Sequence, residues 1–96
     1  MEGIILIHLD KNACFRRNEQ ILYKEIGGEG VLIDPYRRTL VKLNPTAREI
    51  WLLLDGRRTC AGILEELKAV FDVDGRDLEK DVEGLLKSFI RREMIQ

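Results

Sequence analysis

The chain is poor in the residues that usually carry chemistry. Among its 96 residues there are one histidine and two cysteines, Cys14 and Cys60. Two separated cysteines build no disulfide framework and point to a reducing, cytoplasmic setting. With the lone His8 they make no zinc ligand set either. A basic surplus is also missing: 16 Lys and Arg stand against 17 Asp and Glu, for a net charge of −1. General nucleic-acid binders need that surplus, so no nucleic-acid partner is expected. The longest apolar run near the start, Ile4 to Ile7, lacks a basic flank and is too short for a signal h-region. No stretch reaches the apolar length of a membrane span. A P-loop is excluded because Gly27-Gly28-Glu29-Gly30 has no lysine and no following helix. No enzyme, cofactor or metal is expected from this inventory.

What the chain does have is a sharp change of pattern at Leu43-Asn44-Pro45-Thr46-Ala47. Asn44 can cap a helix with its side-chain oxygen, and Pro45 suits the first helical position, where an N–H has no partner to lose. Strand patterns precede this point and helix patterns follow it. Ile21–Ile26, Val31–Asp34 and Thr39–Leu43 read as three strands. Gly27 to Gly30 supply the first turn, and Pro35 opens a second that runs through Arg38. Alternation puts Thr39, Val41 and Leu43 on one face of the third strand, with Leu40 and Lys42 on the other.

Three helices are predicted next. The first carries Ala47, Ile50, Trp51 and Leu54 at helical spacing, with Asp55-Gly56 as its end. Thr59 caps the second, whose apolar face is Cys60, Ile63, Leu67 and Val70 or Phe71. The third carries Leu78, Val82, Leu85, Leu86, Phe89 and Ile90, with Asp74 and Asp77 as a short capping box. Its acids crowd the N-terminal half and Lys87, Arg91 and Arg92 the C-terminal end, an order that suits the helix dipole. Ahead of all this, Gly3–Leu9 reads as an apolar, strand-like arm followed by a polar stretch, Asp10–Gln20. The expected organisation is therefore an arm over residues 1–20 and one domain over 21–96. The fold class is α+β: a three-stranded antiparallel meander, then three helices. The arm either lies over its own sheet or exchanges with a second protomer to make a homodimer.

The individual reactive residues have structural readings. His8 lies within an apolar strand-like stretch. Cys60 is in the first turn of a helix, where the dipole can lower a thiol pKa, but it falls on the buried face. Two binding modes survive. A helix-turn-helix drawn from the first two helices would carry Arg57-Arg58 in its turn, yet its reading helix offers Glu65 and Glu66 against Lys68, the wrong balance for a phosphate backbone. Strand addition is the other, with Thr39–Leu43 as a free sheet edge beside the third helix. That edge can equally be an inert one, protected by its shortness and by Lys42.

One ordered set of residues goes further. Leu43-Asn44-Pro45-Thr46-Ala47-x-x-Ile50-Trp51, then Leu54-Asp55-Gly56, Thr59, Ile63, Leu67 and Phe71, and a last helix ending near Met94-Ile95, resembles the PqqD family of pyrroloquinoline quinone biosynthesis proteins. Gly30-Val31-Leu32-Ile33-Asp34-Pro35 is similar to the family's second strand. The arm at Gly3–Leu9 and the start of the second helix at Cys60-Ala61-Gly62 depart from the pattern. The resemblance implies a winged-helix-like α+β fold and a peptide chaperone that binds the leader of a ribosomally made precursor and presents it to a modifying enzyme, such as a radical S-adenosylmethionine (SAM) protein. It implies contacts through Thr39, Leu40, Val41, Lys42 and Leu43, with Leu78, Val82, Leu85 and Phe89 forming or backing a groove wall. The competing readings are a winged-helix DNA-binding regulator and a structural dimerisation module.

Overall fold

The computed structural model describes residues 11–71 and 75–96. In chain order they form β1 (Cys14–Arg16), β2 (Leu22–Ile26), β3 (Glu29–Asp34), β4 (Thr39–Leu43), α1 (Pro45–Leu53), β5 (Asp55–Thr59), α2 (Cys60–Val70) and α3 (Gly75–Arg91). The fold is α+β. One sheet joins β2, β3 and β4 in sequence order, each pair antiparallel, and a second pairs β1 with β5.

The β2–β3 connection is tighter than the glycine run predicts. Only Gly27 and Gly28 form it, with φ of 60° and 81°, so both residues occupy the left-handed region that a two-residue primed turn demands. Glu29 and Gly30 already belong to β3. Gly30 has a packing reason instead: a Cβ there would stand 3.1 Å from the Tyr23 ring and 3.3 Å from Arg48 Cγ.

The switch into α1 follows from its cap. Asn44 accepts a hydrogen bond from the Ala47 N–H at 2.8 Å, and Pro45 takes the first turn. Thr59 caps α2 in the same way, accepting from the Gly62 N–H at 3.0 Å. At the far end of α3, Glu93 adopts φ 57°. Its N–H bonds the Ile90 carbonyl while the Met94 N–H bonds that of Phe89, the paired closure of a Schellman motif built without glycine.

The core lies between the inner face of the β2–β3–β4 sheet and the helices. Ile50, Trp51, Leu54, Ile63 and Leu67 are fully buried with Leu32 from the sheet and Leu86 from α3. Trp51 meets Phe89 edge to face, with ring centroids 5.6 Å apart. The α2 face closes with the half-buried Phe71, whereas Val70 is exposed.

Two strands were not legible. Cys14–Arg16 sits within the stretch read as polar, and Asp55–Thr59 within the expected helix end, yet they pair as β1 and β5. Asp, Gly and Arg have little strand preference. What holds β5 is its partner's backbone together with Asp55, whose carboxylate accepts from the N–H groups of Arg57 and Arg58. Residues 16–18 in turn bond the C-terminus, through Arg16 with Gln96 and Asn18 with Met94, and this buries Met94 and Ile95. The Gly3–Leu9 arm, His8 and Asp74 of the expected capping box lie outside the described residues.

Candidate functional site

The free main-chain groups of the larger sheet follow from its register. A two-residue loop makes its flanking residues, Ile26 and Glu29, a hydrogen-bonded pair, and bonded pairs alternate with non-bonded ones along an antiparallel ladder. Val31 and Ile33 therefore direct their N–H and C=O groups to β2, and Gly30, Leu32 and Asp34 direct theirs to β4. On β4 the partners of these three are Leu43, Val41 and Thr39. Leu40 and Lys42 are left with both groups pointing away from the sheet, and among the described residues no strand pairs with that edge. Of the five edge residues expected to contact a peptide, two carry the available hydrogen bonds and three spend theirs on the fold. Their side chains divide along the same parity. Leu43 is buried and Val41 half-buried toward the core, while Leu40 and Lys42 are exposed on the outer face.

The opposite edge, β2, carries a side-chain clip. Its outward-directed residues are Tyr23 and Glu25, and both side chains are tied to Arg48 of α1. Arg48 Nε donates to the Tyr23 hydroxyl at 3.0 Å, and Arg48 Nη2 and the Tyr23 hydroxyl donate to Glu25 at 2.7 and 2.8 Å. The Arg48 hydrogen bond, with that of Tyr23 behind it, holds the Glu25 carboxyl below its ordinary range, and the same contacts raise the guanidinium. A charged clip of this kind discourages strand pairing.

On α3 the predicted wall residues separate into two groups. Leu78, Val82 and Phe89 are buried in the core at 2%, 5% and 2% exposure. Leu85 is half-buried and lies on a flank of that stripe. Glu79, Val82, Glu83 and Leu86 line a cleft with Cys60, Ala61 and Leu64 of α2. At 100° per residue this puts Leu85, with Asp81 and Ser88, on the flank turned away from α2. Of the four predicted wall residues, Leu85 is the one that is not fully buried.

A clasp holds the start of β4 beside the end of α3. Asp34, 2% exposed, accepts from the N–H groups of Tyr36 and Arg37 at 3.0 and 3.1 Å, and from Arg37 Nη1 at 3.3 Å. Arg37 then reaches across to the Arg92 carbonyl at 3.1 Å and to the Glu93 carboxylate. Sequence reading missed this clasp, although Asp-Pro-x-Arg is a turn signal whose arginine had no assigned partner. The Arg37 N–H holds the Asp34 carboxyl below its usual range against the opposing effect of burial, with the guanidinium and the Tyr36 N–H adding to it. A depressed folded-state pKa contributes stability above the unfolded carboxylate value, about 3.9, and loses it as pH falls through the folded value. Amide resonances of Tyr36 and Arg37 are therefore expected to hold steady from pH 7 to about 4 and to move below it. Any ligand seated between β4 and α3 should weaken over the same interval. Turn amides that titrate at or above the ordinary carboxylate value would contradict the clasp.

Other candidate chemistry is not assembled. Cys60 is buried and Cys14 exposed, the latter with its Sγ 3.5 Å from the Arg57 carbonyl. Among the described residues no three His, Cys, Asp or Glu side chains could hold a metal, and no helix is long and apolar enough to cross a membrane. Arg57 and Arg58, expected in a helix-turn-helix turn, belong instead to β5. Arg58 is paired with Asp55 at 2.7 Å and Glu66 at 3.7 Å, which neutralises the charge a phosphate would need.

Fold and edge together define a small α+β domain whose β4 edge is unpaired among the described residues and follows a turn clasped to the end of α3. The chain belongs to the PqqD family: the model for coenzyme PQQ synthesis protein D matches residues 29–95. A PqqA binding protein of Xanthomonas oryzae pv. oryzae strain PXO99A is 30% identical over 87 residues, covering 91% of this chain and 92% of that one. Among solved structures, a lasso peptide synthetase B1 complexed with the leader peptide has a TM-score of 0.76 at 26% identity, over 88% of this chain and 99% of that one. The PqqD truncation of Methylobacterium extorquens PqqCD, a stand-alone recognition element for ribosomally synthesised and post-translationally modified peptides, has a TM-score of 0.75 at 20% identity and shares the fold. It covers 93% of this chain and 95% of that one.

Proposed function

We propose that this chain is a non-catalytic recognition element that binds the leader of a ribosomally made precursor peptide as an added strand on β4. The observation that carries the reading is the pair of outward main-chain sets at Leu40 and Lys42, on an edge clasped to α3 by Asp34 and Arg37. It is supported by family membership, by the PqqA binding relative and by the leader-bound lasso synthetase B1 of the same fold. In this reading the peptide bonds Leu40 and Lys42 and lays alternate side chains against Val41 and Leu85, over a wall backed by Val82 and Phe89. Thr39 and Leu43 position the strand through their bonds to β3. The bound peptide is then presented to a modifying enzyme, with a radical SAM protein as the partner class.

The test is titration of isotope-labelled protein with the leader of a precursor peptide encoded beside its gene. Amide shifts and exchange protection are expected at Leu40 and Lys42 and along the Asp81–Ser88 flank of α3. Saturable binding that leaves both segments unperturbed would refute the site.

A further inference from the structure

Resting on the reading of β4 as the leader-binding edge, we infer what chemistry the added strand carries: an acidic residue, then an apolar one, then a β-branched or aromatic one, from N- to C-terminus. Two rows of side chains cross the outer face of the sheet and stop at β4. One is Leu22, Ile33 and Leu40, and the other is Lys24, Val31 and Lys42. Between them, on the core face, a third row of Tyr23, Leu32 and Val41 stops at the same edge.

Each row ends in an unmet demand. Leu22 and Leu40 are 47% and 60% exposed on either side of the half-buried Ile33, so the first row is an apolar strip open at the β4 end. In the second row Val31 is only 4% exposed between two exposed lysines. Lys24 and Lys42 make no ion pair among the described residues, whereas Lys11, Lys68 and Lys87 each have a carboxylate within reach. The core-face row ends at the half-buried Val41, on the side of the sheet where the helices pack.

Side chains directly opposite each other on one face are the unit of strand stabilisation, and like charges there are unfavourable. An added strand extends all three rows by one residue. Opposite Leu40 the row calls for an apolar side chain of strand-forming shape. Opposite Lys42 it calls for a carboxylate. The residue between them points to the core face and must be apolar to sit by Val41. Because Leu40 and Lys42 also hold the outward N–H and C=O groups, the residues facing them are the ones fixed by main-chain bonds. Their side chains are therefore the best-registered in the complex. Both ladders of this sheet are antiparallel, the stronger pairing per residue, so the peptide runs from Lys42 toward Leu40 and presents the acid first. Lys42 is then a specificity residue as well as an edge guard.

The experiment is selection of a random peptide display library on the full chain and, separately, on the Lys42→Glu variant, followed by amide-shift mapping of the enriched peptides. Wild type is expected to enrich acid–apolar–apolar triplets, and Lys42→Glu to enrich Lys or Arg at the first position. Exchanging the acid for lysine in an enriched peptide should weaken wild-type binding about three- to tenfold and strengthen binding to Lys42→Glu by a similar factor. Enriched peptides that shift Leu40 and Lys42 without any charge reversal would overturn this inference and leave the edge reading standing. Failure to enrich peptides, or enrichment of peptides that leave those amides unmoved, would overturn both.

Discussion

Trp51→Ala is expected to cost this protein a large part of its stability. Trp51 is 1% exposed on α1, and its ring meets Phe89 of α3 edge to face at 5.6 Å. Removing a buried tryptophan costs about 3–5 kcal/mol, because the lost apolar contact is joined by a cavity that the surroundings only partly refill. The edge-to-face pair adds about 0.5–1.5 kcal/mol. A domain of this size has a stability of roughly 5–15 kcal/mol, so the variant loses about a quarter of it at the least and all of it at the most. Urea denaturation followed by circular dichroism should show a lowered midpoint with little change in slope. Trp51→Phe should fall between the two proteins. A midpoint within experimental error of wild type for Trp51→Ala would mean that the α1–α3 contact is not the centre of the core. The same change also loosens Phe89, one of the residues proposed to back the binding wall.

The second large effect separates binding from folding. Proline at position 40 or 42 removes an N–H that points away from β3, so the existing ladder keeps all its bonds, and edge strands tolerate proline for that reason. Leu40→Pro and Lys42→Pro are each expected to weaken leader binding about tenfold, which is 1.4 kcal/mol, through one lost main-chain bond and an unpaired acceptor on the peptide. Val41→Pro should behave in the opposite way. Its N–H belongs to the β3 ladder, so that variant should lose stability first and binding only as a consequence. Calorimetric titration beside thermal denaturation reads the two effects separately. Unaltered leader affinity in a folded Leu40→Pro, Lys42→Pro double variant would remove strand addition on β4 from consideration.

The predictable parts of the fold are those in which neighbouring residues decide the outcome. Asn44-Pro45 and Thr59 cap helices through contacts no more than three residues away, and both were readable for that reason. The buried stripe of α1 follows from helical period, as do Cys60, Ile63 and Leu67 on α2 and Leu78, Val82, Leu86 and Phe89 on α3. Thr39–Leu43 was legible as a strand because alternation and flanking turns mark it. The glycine turn was placed correctly but drawn too wide, since composition does not say which glycines carry positive φ and which, like Gly30, are needed for close packing.

The missed elements depend on partners far along the chain. β1 and β5 are more than forty residues apart at the Cys14–Thr59 pair, and neither has a strand-like composition. Asp55-Gly56 resembles a helix stop, and Gly56 does take a positive φ, but the backbone beyond it finds β1 instead of a loop. The Arg37 link to Arg92 and Glu93 joins a turn to a helix end across more than fifty residues, and no local pattern announces it.

By itself, then, the sequence determined the α+β class, the helix caps, the buried stripes and the identity of the edge strand. These depend on period, on φ preference and on side chains reaching their own backbone. Tertiary structure decided which main-chain groups of that edge are free, because the parity of β4 is inherited from the two-residue turn between β2 and β3. It decided that Leu78, Val82 and Phe89 are buried in the core while Leu85 is only half-buried, since helical spacing orders residues around an axis without saying what each side packs against. It also decided that the β2 edge carries an Arg48 clip that β4 lacks, an outcome that requires a helix to deliver an arginine to a strand more than twenty residues before it.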